Sequence, residues 1–371
     1  MDMNEPTVSQ AGRLRAVLPR IAARAAALDA VPGLLPVEDV EDLSAAGLLL
    51  APFPALLGGS GWSGAASLDA LRLVGRASLS LGRLYEGHVN AIRLILRHGT
   101  VAQREAAADN TRHGRLFGVW NTESPTVSLR VQEGVLRGGK VLCSGAGMVE
   151  RGLVTAQYSG ADGEGQQMLL VPLPRGTPRA DLSRWTPTGM RASATGTVDL
   201  DGITVTPAML LGGRDAYQTE PDFSTGAWRF LAVQLGGVEA VAEALRNHLM
   251  RTQRGSDPHQ AARLATAVAA AETARLWVRS AAELTERDGT DPDQVIAYVN
   301  LARGVVERAA LDVMEVANRS VGLQAFTQPN PLERMVRDLS TYLRQPGPDA
   351  ALVKGAAAVL ISMDPVGEMW R

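Results

Sequence analysis

The chain offers few side chains able to move protons at neutral pH. His88, in Tyr85-Glu86-Gly87-His88, carries an imidazole that titrates near neutrality, so it can serve as an acid or base or simply pack within its helix. Ser144 is a strand-end hydroxyl, and Glu123 is a carboxylate in Asn121-Thr122-Glu123-Ser124. Asp349 precedes Ala350-Ala351-Leu352, where an acidic residue suits a helix N-terminal cap better than a catalytic role. Glu333, Arg334, Arg337 and Asp338 have the three- and four-residue spacings of helical ion pairs, which points to scaffold. Cys143 is the single cysteine; it excludes an internal disulfide and a cysteine-built zinc site, and it fits packing better than nucleophilic attack.

Charge narrows the partners further. Thirty-seven Lys and Arg against 39 Asp and Glu leave a net charge of -2, so no overall field favours nucleic acid or an anionic membrane. The N-terminus, with Asp2 and Glu5 ahead of an Arg-studded amphipathic stretch, reads as neither a signal peptide nor a membrane span. An unprocessed, soluble, cytoplasmic protein is the expectation.

Helices, then strands, then helices must position these residues. From Leu14, the apolar positions Val17, Leu18, Ile21, Ala22, Ala25 and Leu28 follow helical spacing between arginines, and a second helix is expected over Val37 to Leu50. Helical patterning continues to about Gly114. Between Leu116 and Leu211 it gives way to strand signals: Val127, Leu129, Val131 and Val135 flank a Glu133-Gly134 turn, and Val198, Leu200, Ile203 and Val205 flank Asp201-Gly202. After Thr225 long Ala- and Leu-rich helices return, broken at Gly255 to Pro258, Asp288 to Asp291 and Thr327 to Pro331. The reading is an α+β chain with an N-terminal helical domain over 1–114, a central β domain over 115–212 and a C-terminal helical bundle over 213–371.

This order resembles the acyl-CoA dehydrogenase superfamily, and local segments agree in sequence order across nearly the whole chain. Ala46-Gly47-Leu48 with Gly58-Gly59-Ser60-Gly61 is similar to the family's first loop, and Asn121-Thr122-Glu123-Ser124 to its flavin-facing Thr-Glu-Pro turn. Gly139-Lys140 with Ser144, Gly189 to Ser193, Arg251 to Gly255 and Pro331-Leu332-Glu333-Arg334 with Arg337-Asp338 match further family segments.

The resemblance implies an FAD-dependent oxidoreductase, a homodimer or homotetramer, acting on a small molecule or an acyl thioester. Thr122, Ser144 and Arg251 match cofactor-binding positions, and a further cofactor glutamine is Gln260 or is replaced by Pro258. The glutamate base of the ordinary members is missing: one family position for it is Pro346 and the other is Trp228, before Arg229. Proline has no proton to move and indole only donates, so ordinary α,β-dehydrogenation is not expected. The flavin-dependent monooxygenases of this fold lack that glutamate and use a histidine and a serine at positions matching His88 and Ser144, which makes these two the catalytic candidates. The competing alternatives are such a monooxygenase and a non-catalytic binding protein with a degraded flavin site.

Overall fold

The computed structural model describes residues 10–31, 33–124, 128–160, 163–344 and 347–370. The first helices are α1 (Gln10–Ala30), α2 (Val37–Ala45), α3 (Gly64–Ala77), α4 (Leu79–His98) and α5 (Val101–Arg112). Leu14, Val17, Ile21, Ala25 and Leu28 form the buried stripe of α1, as their spacing predicts. On its polar side Arg24 Nε contacts Asp39 Oδ1 at 2.6 Å and so fastens α2. The second helix stops at Ala45, short of the expected Leu50. Gly47 turns left-handed (φ 75°), and the Leu48 amide donates back to Leu43 O at 2.9 Å, closing the helix end.

The strands are β1 (Phe117–Trp120), β2 (Arg130–Gln132), β3 (Val135–Arg137), β4 (Gly139–Cys143), β5 (Arg151–Gly160), β6 (Gly163–Pro172), β7 (Ala180–Asp181), β8 (Gly196–Asp199) and β9 (Leu210–Leu211). One sheet runs β3-β2-β5-β6-β9, with β1 also parallel to β5; the other runs β4-β8-β7. Gln132 pairs with Val135 across Glu133-Gly134, both at positive φ, which is the two-residue hairpin turn expected there. Val127 lies outside the described residues.

Helices return as α6 (Asp222–Thr225), α7 (Trp228–Arg251), α8 (Pro258–Glu286), α9 (Pro292–Val321), α10 (Pro331–Tyr342) and α11 (Pro348–Ile361). Three of them start alike. Asp257, Asp291 and Asn330 each cap with a side-chain oxygen at 2.9 to 3.0 Å from an amide, and proline follows, where its missing N–H is no loss. Asp349 sits in the first turn of α11; the cap is Gly347, which corrects the expected capping role. The ion pairs of α10 are scaffold: Arg337 reaches Asp29 of α1 at 2.7 Å, and Asp338 accepts the Met190 amide at 2.6 Å.

The core joins α3, α4 and α7, and the crossing of α3 with α7 depends on glycine. A Cβ on Gly236 would lie 2.1 Å from Arg72 O and 2.6 Å from Arg76 N. Gly236→Ala is therefore expected to destabilise by about 2 kcal/mol in urea unfolding, because backbone rather than a flexible side chain must yield; an unchanged midpoint would refute so close a crossing. No helix among the described residues is long and apolar enough to cross a membrane.

Candidate active site

The end of β4 forms a ledge. The Val141 amide donates to Thr122 O at 3.1 Å, and Glu123 bridges to Lys140, so the turn after β1 is clamped onto β4. Lys140 is fully buried and ion-paired with Glu123; burial lowers its pKa and Glu123 opposes that. The other Glu123 oxygen accepts the Leu129 amide at 3.0 Å, so this carboxylate shapes the turn. Register shifts between Lys140 and Cys143, and Leu142 sits at φ 53° with its side chain 55% exposed. This bulge turns Leu142 outward from the strand. Cys143 is fully buried, and its thiol is pushed up to about 12 by burial, which leaves it inert as a nucleophile.

Ser144 follows, with only 8% of its surface exposed. Its Oγ accepts from Thr195 Oγ1 at 3.2 Å, Thr195 Oγ1 lies 2.8 Å from Ser193 Oγ, and the Ser144 carbonyl accepts from the Trp120 indole at 2.9 Å. Ser193 Oγ also donates to Met190 O at 2.7 Å, so Thr195 has one proton for two neighbours, Ser193 and Ser144; where Ser144 receives it, the Ser144 proton is free to donate. Thr122 is exposed, so one ledge carries both Thr122 and Ser144.

His88 points elsewhere. It is fully buried; its Nδ1 accepts from the Phe117 amide at 3.2 Å, so its Nε2 carries the proton and donates to Leu49 O at 2.8 Å. Tyr85 stacks beside it and holds Leu48 O at 3.0 Å, and Phe117 meets it edge-on. Burial pulls the imidazole pKa down to about 4, partly opposed by the hydrogen bond to Leu49. Both nitrogens are committed to backbone, a geometry that favours packing over proton transfer.

The opposite face of α4 carries the polar groups that sequence reasoning did not single out. Glu86 is ion-paired with Arg83 and hydrogen-bonded by the Asn90 amide, and the Asn90 carbonyl accepts from Arg229 Nε at the start of α7. Tyr217 interacts with the Asn121 side chain and with Glu86, Arg83 and Arg229, which joins this cluster to the ledge. Burial and then the nearby Arg93 pull Arg229 down to about 9, against Glu86, Asp222 and Glu286. The signal was present: positions 83, 86 and 90 lie on one helical face, as polar residues in a stretch, Leu79 to Ile92, that is otherwise buried. Trp228 is fully buried, while Pro346 lies outside the described residues.

Arg251 and Gln260 stand apart from Thr122 and Ser144. Arg251 ends α7, about 33 Å along the helix from Arg229 at 1.5 Å per residue. It opens with Arg76, Asn247, His248 and Asn330 onto a cavity of about 300 Å³. Gln260 is buried in the first turn of α8, with Oε1 lacking a hydrogen-bond partner among the described residues. Both belong to the C-terminal helices, and no hydrogen bond or ion pair among the described residues links them to Thr122 or Ser144.

Residues 14–111 match the acyl-CoA dehydrogenase N-terminal domain and residues 216–359 the acyl-CoA dehydrogenase C-terminal domain. The chain belongs to the acyl-CoA dehydrogenase superfamily. It is similar to the L-evernosamine nitrososynthase of a Micromonospora species, at 29% identity covering 91% of this chain and 87% of that protein. In fold it resembles TdsC from Paenibacillus sp. A11-2, a dibenzothiophene monooxygenase, bound to FMN and indole (TM-score 0.85, 20% identity, 98% of this chain and 99% of that one). It also resembles KijD3 in complex with FMN and dTDP-3-amino-2,3,6-trideoxy-4-keto-3-methyl-D-glucose (TM-score 0.80, 24% identity, 99% and 97%). These findings overturn FAD as the expected cofactor: the flavin in these structural neighbours is FMN, which has no adenylate to hold. They favour the monooxygenase alternative over the broader dehydrogenase-like reading.

Proposed function

We propose that this protein is an FMN-dependent monooxygenase acting on a small organic molecule, and that it works as a homodimer or homotetramer. The observation that carries the reading is the character of the ledge and the face beside it. Hydroxyls are available there at Thr122 and Ser144, whereas the carboxylates are committed: Glu123 to Lys140 and Glu86 to Arg83 and Asn90. Neither carboxylate is therefore free as a base for a thioester α-proton, while oxygen chemistry asks for hydrogen-bond donors. The likeness to a nitrososynthase and to TdsC supports the same choice.

The residues fit a flavin in two parts. Thr122 and Ser144 would hold the ring side, and Arg251, beside Arg76 on its cavity at the far end of α7 from Arg229, suits a phosphate contributed from a second copy. Bound reduced FMN would supply the electrons for dioxygen. Ser144, fed by Thr195, would donate its Oγ proton toward the reacting oxygen. Titration with FMN should quench flavin fluorescence, and mixing the reduced complex with oxygen should give a transient absorbance. Ser144→Ala is expected to shorten that transient about tenfold or more. Failure to bind FMN would return the protein to the non-catalytic alternative, and brisk turnover of acyl-CoA thioesters would sink the monooxygenase.

A further inference from the structure

The charges around the start of α7 pair off until one remains. Arg83 holds Glu86, Arg93 lies 3.8 Å from Glu286, and Arg97 meets Asp222 at 2.5 Å. Arg229, 9% exposed in their midst, makes no ion pair among the described residues, and its Nε donates only to the neutral Asn90 carboxamide. Glu86, Asp222 and Glu286 act on it only from a distance, each held by another arginine, and a buried guanidinium with no carboxylate in contact is disfavoured unless something else supplies the charge. Nearby donors are also left over. Trp228 Nε1, Tyr342 Oη and Arg83 Nε are buried without a hydrogen-bond partner among the described residues. The Trp228 ring lies 5.5 Å from the Arg229 guanidinium, and Tyr342 interacts electrostatically with both Glu86 and Arg83. Gly226 leaves room for the guanidinium, since a Cβ there would come within 2.8 Å of Arg229 Nη2.

We infer that this corner of α4, α7 and α10 is an oxyanion-recognition site, in which Arg229, with Arg83 and Tyr342 beside it, receives a carboxylate or phosphate-type group of the substrate. A guanidinium anchored through Nε keeps both Nη groups for a planar, bidentate contact with such an anion. The inference rests on the monooxygenase reading for the word substrate; the unpaired charge belongs to the chain itself.

Thermal unfolding of the protein, with and without FMN, tests it. The probes are benzoate and phenylphosphonate, with benzamide and sodium chloride at matched concentration and ionic strength as controls. Either anion should raise the midpoint saturably, by about 2 °C, and the controls should not. Arg229→Gln should abolish the response and, by removing an uncompensated buried charge, raise the anion-free midpoint; Glu86→Gln, which frees Arg83, should enlarge it. A response to benzoate alone identifies a carboxylate and one to phenylphosphonate alone a phosphate-type group. No saturable shift with either anion, a shift that survives Arg229→Gln, or an Arg229→Gln protein that is less stable or fails to fold would overturn the site. Flavin fluorescence on the same samples separates the two ideas: anion shifts without FMN binding remove the monooxygenase and keep the site, and FMN binding without shifts does the reverse.

Discussion

Glu123→Ala should cost about 3 kcal/mol of unfolding free energy, among the largest effects of any single substitution at the ledge. The reason is Lys140, which has no exposed surface and whose ammonium is paired with Glu123. Removing the carboxylate leaves a buried cation to be neutralised or dragged toward water. The Glu123 side chain is 31% exposed, so some water can approach, which places the estimate at the lower end of what breaking a buried pair costs. The change should also loosen the contact between Thr122 O and the Val141 amide and weaken FMN binding about tenfold or more, because the ring-side residues lose their common frame. Glu123→Gln combined with Lys140→Met should recover most of the stability, since neither partner is then charged. Urea unfolding and FMN titration of the three proteins decide it; a single-mutant loss below about 1 kcal/mol would show a solvated pair.

Much of this frame was legible in the residues. The α1 stripe, the Glu133-Gly134 turn and the three capped, proline-led helix starts are local devices whose sequence carries its own geometry. Partners were harder. Past the Asp201-Gly202 turn the chain does not fold back on β8; Ile203 O accepts the Leu136 amide at 2.8 Å and Thr204 bridges Val135, so it changes sheets, which no local pattern encodes. The candidate site shows the same division. Thr122 and Ser144 share a ledge, but Arg251 lies at the far end of α7. From Leu79 to Ile92 the helix α4 is buried on nearly every side, so apolar periodicity could not say which face meets Leu49, and only the polar residues at 83, 86 and 90 marked the other.

His88→Phe is expected to destabilise the protein by about 3 kcal/mol at pH 7.5, because it strands the Phe117 amide and the Leu49 carbonyl together in the core. The penalty should shrink in acid, and the direction follows from the imidazole. Its pKa is about 4 when folded, against 6.5 for the free side chain, so the unfolded chain takes up a proton that the folded one refuses. Stability from the neutral ring is complete above pH 6.5 and is lost as the pH falls toward 4, by about 3 kcal/mol over that window. Phenylalanine has no such proton to refuse, so urea midpoints of parent and variant should converge as the pH drops from 7.5 to 5. The same pair separates packing from catalysis. If His88 donated a proton to the reaction, a variant folded at neutral pH would lose the oxygen-dependent transient while parent stability stayed flat between pH 7.5 and 5. If it is the strut between α4, the Leu49 loop and β1 that its two backbone hydrogen bonds describe, stability moves with pH and, in variant protein that remains folded, the Ser144-dependent chemistry persists.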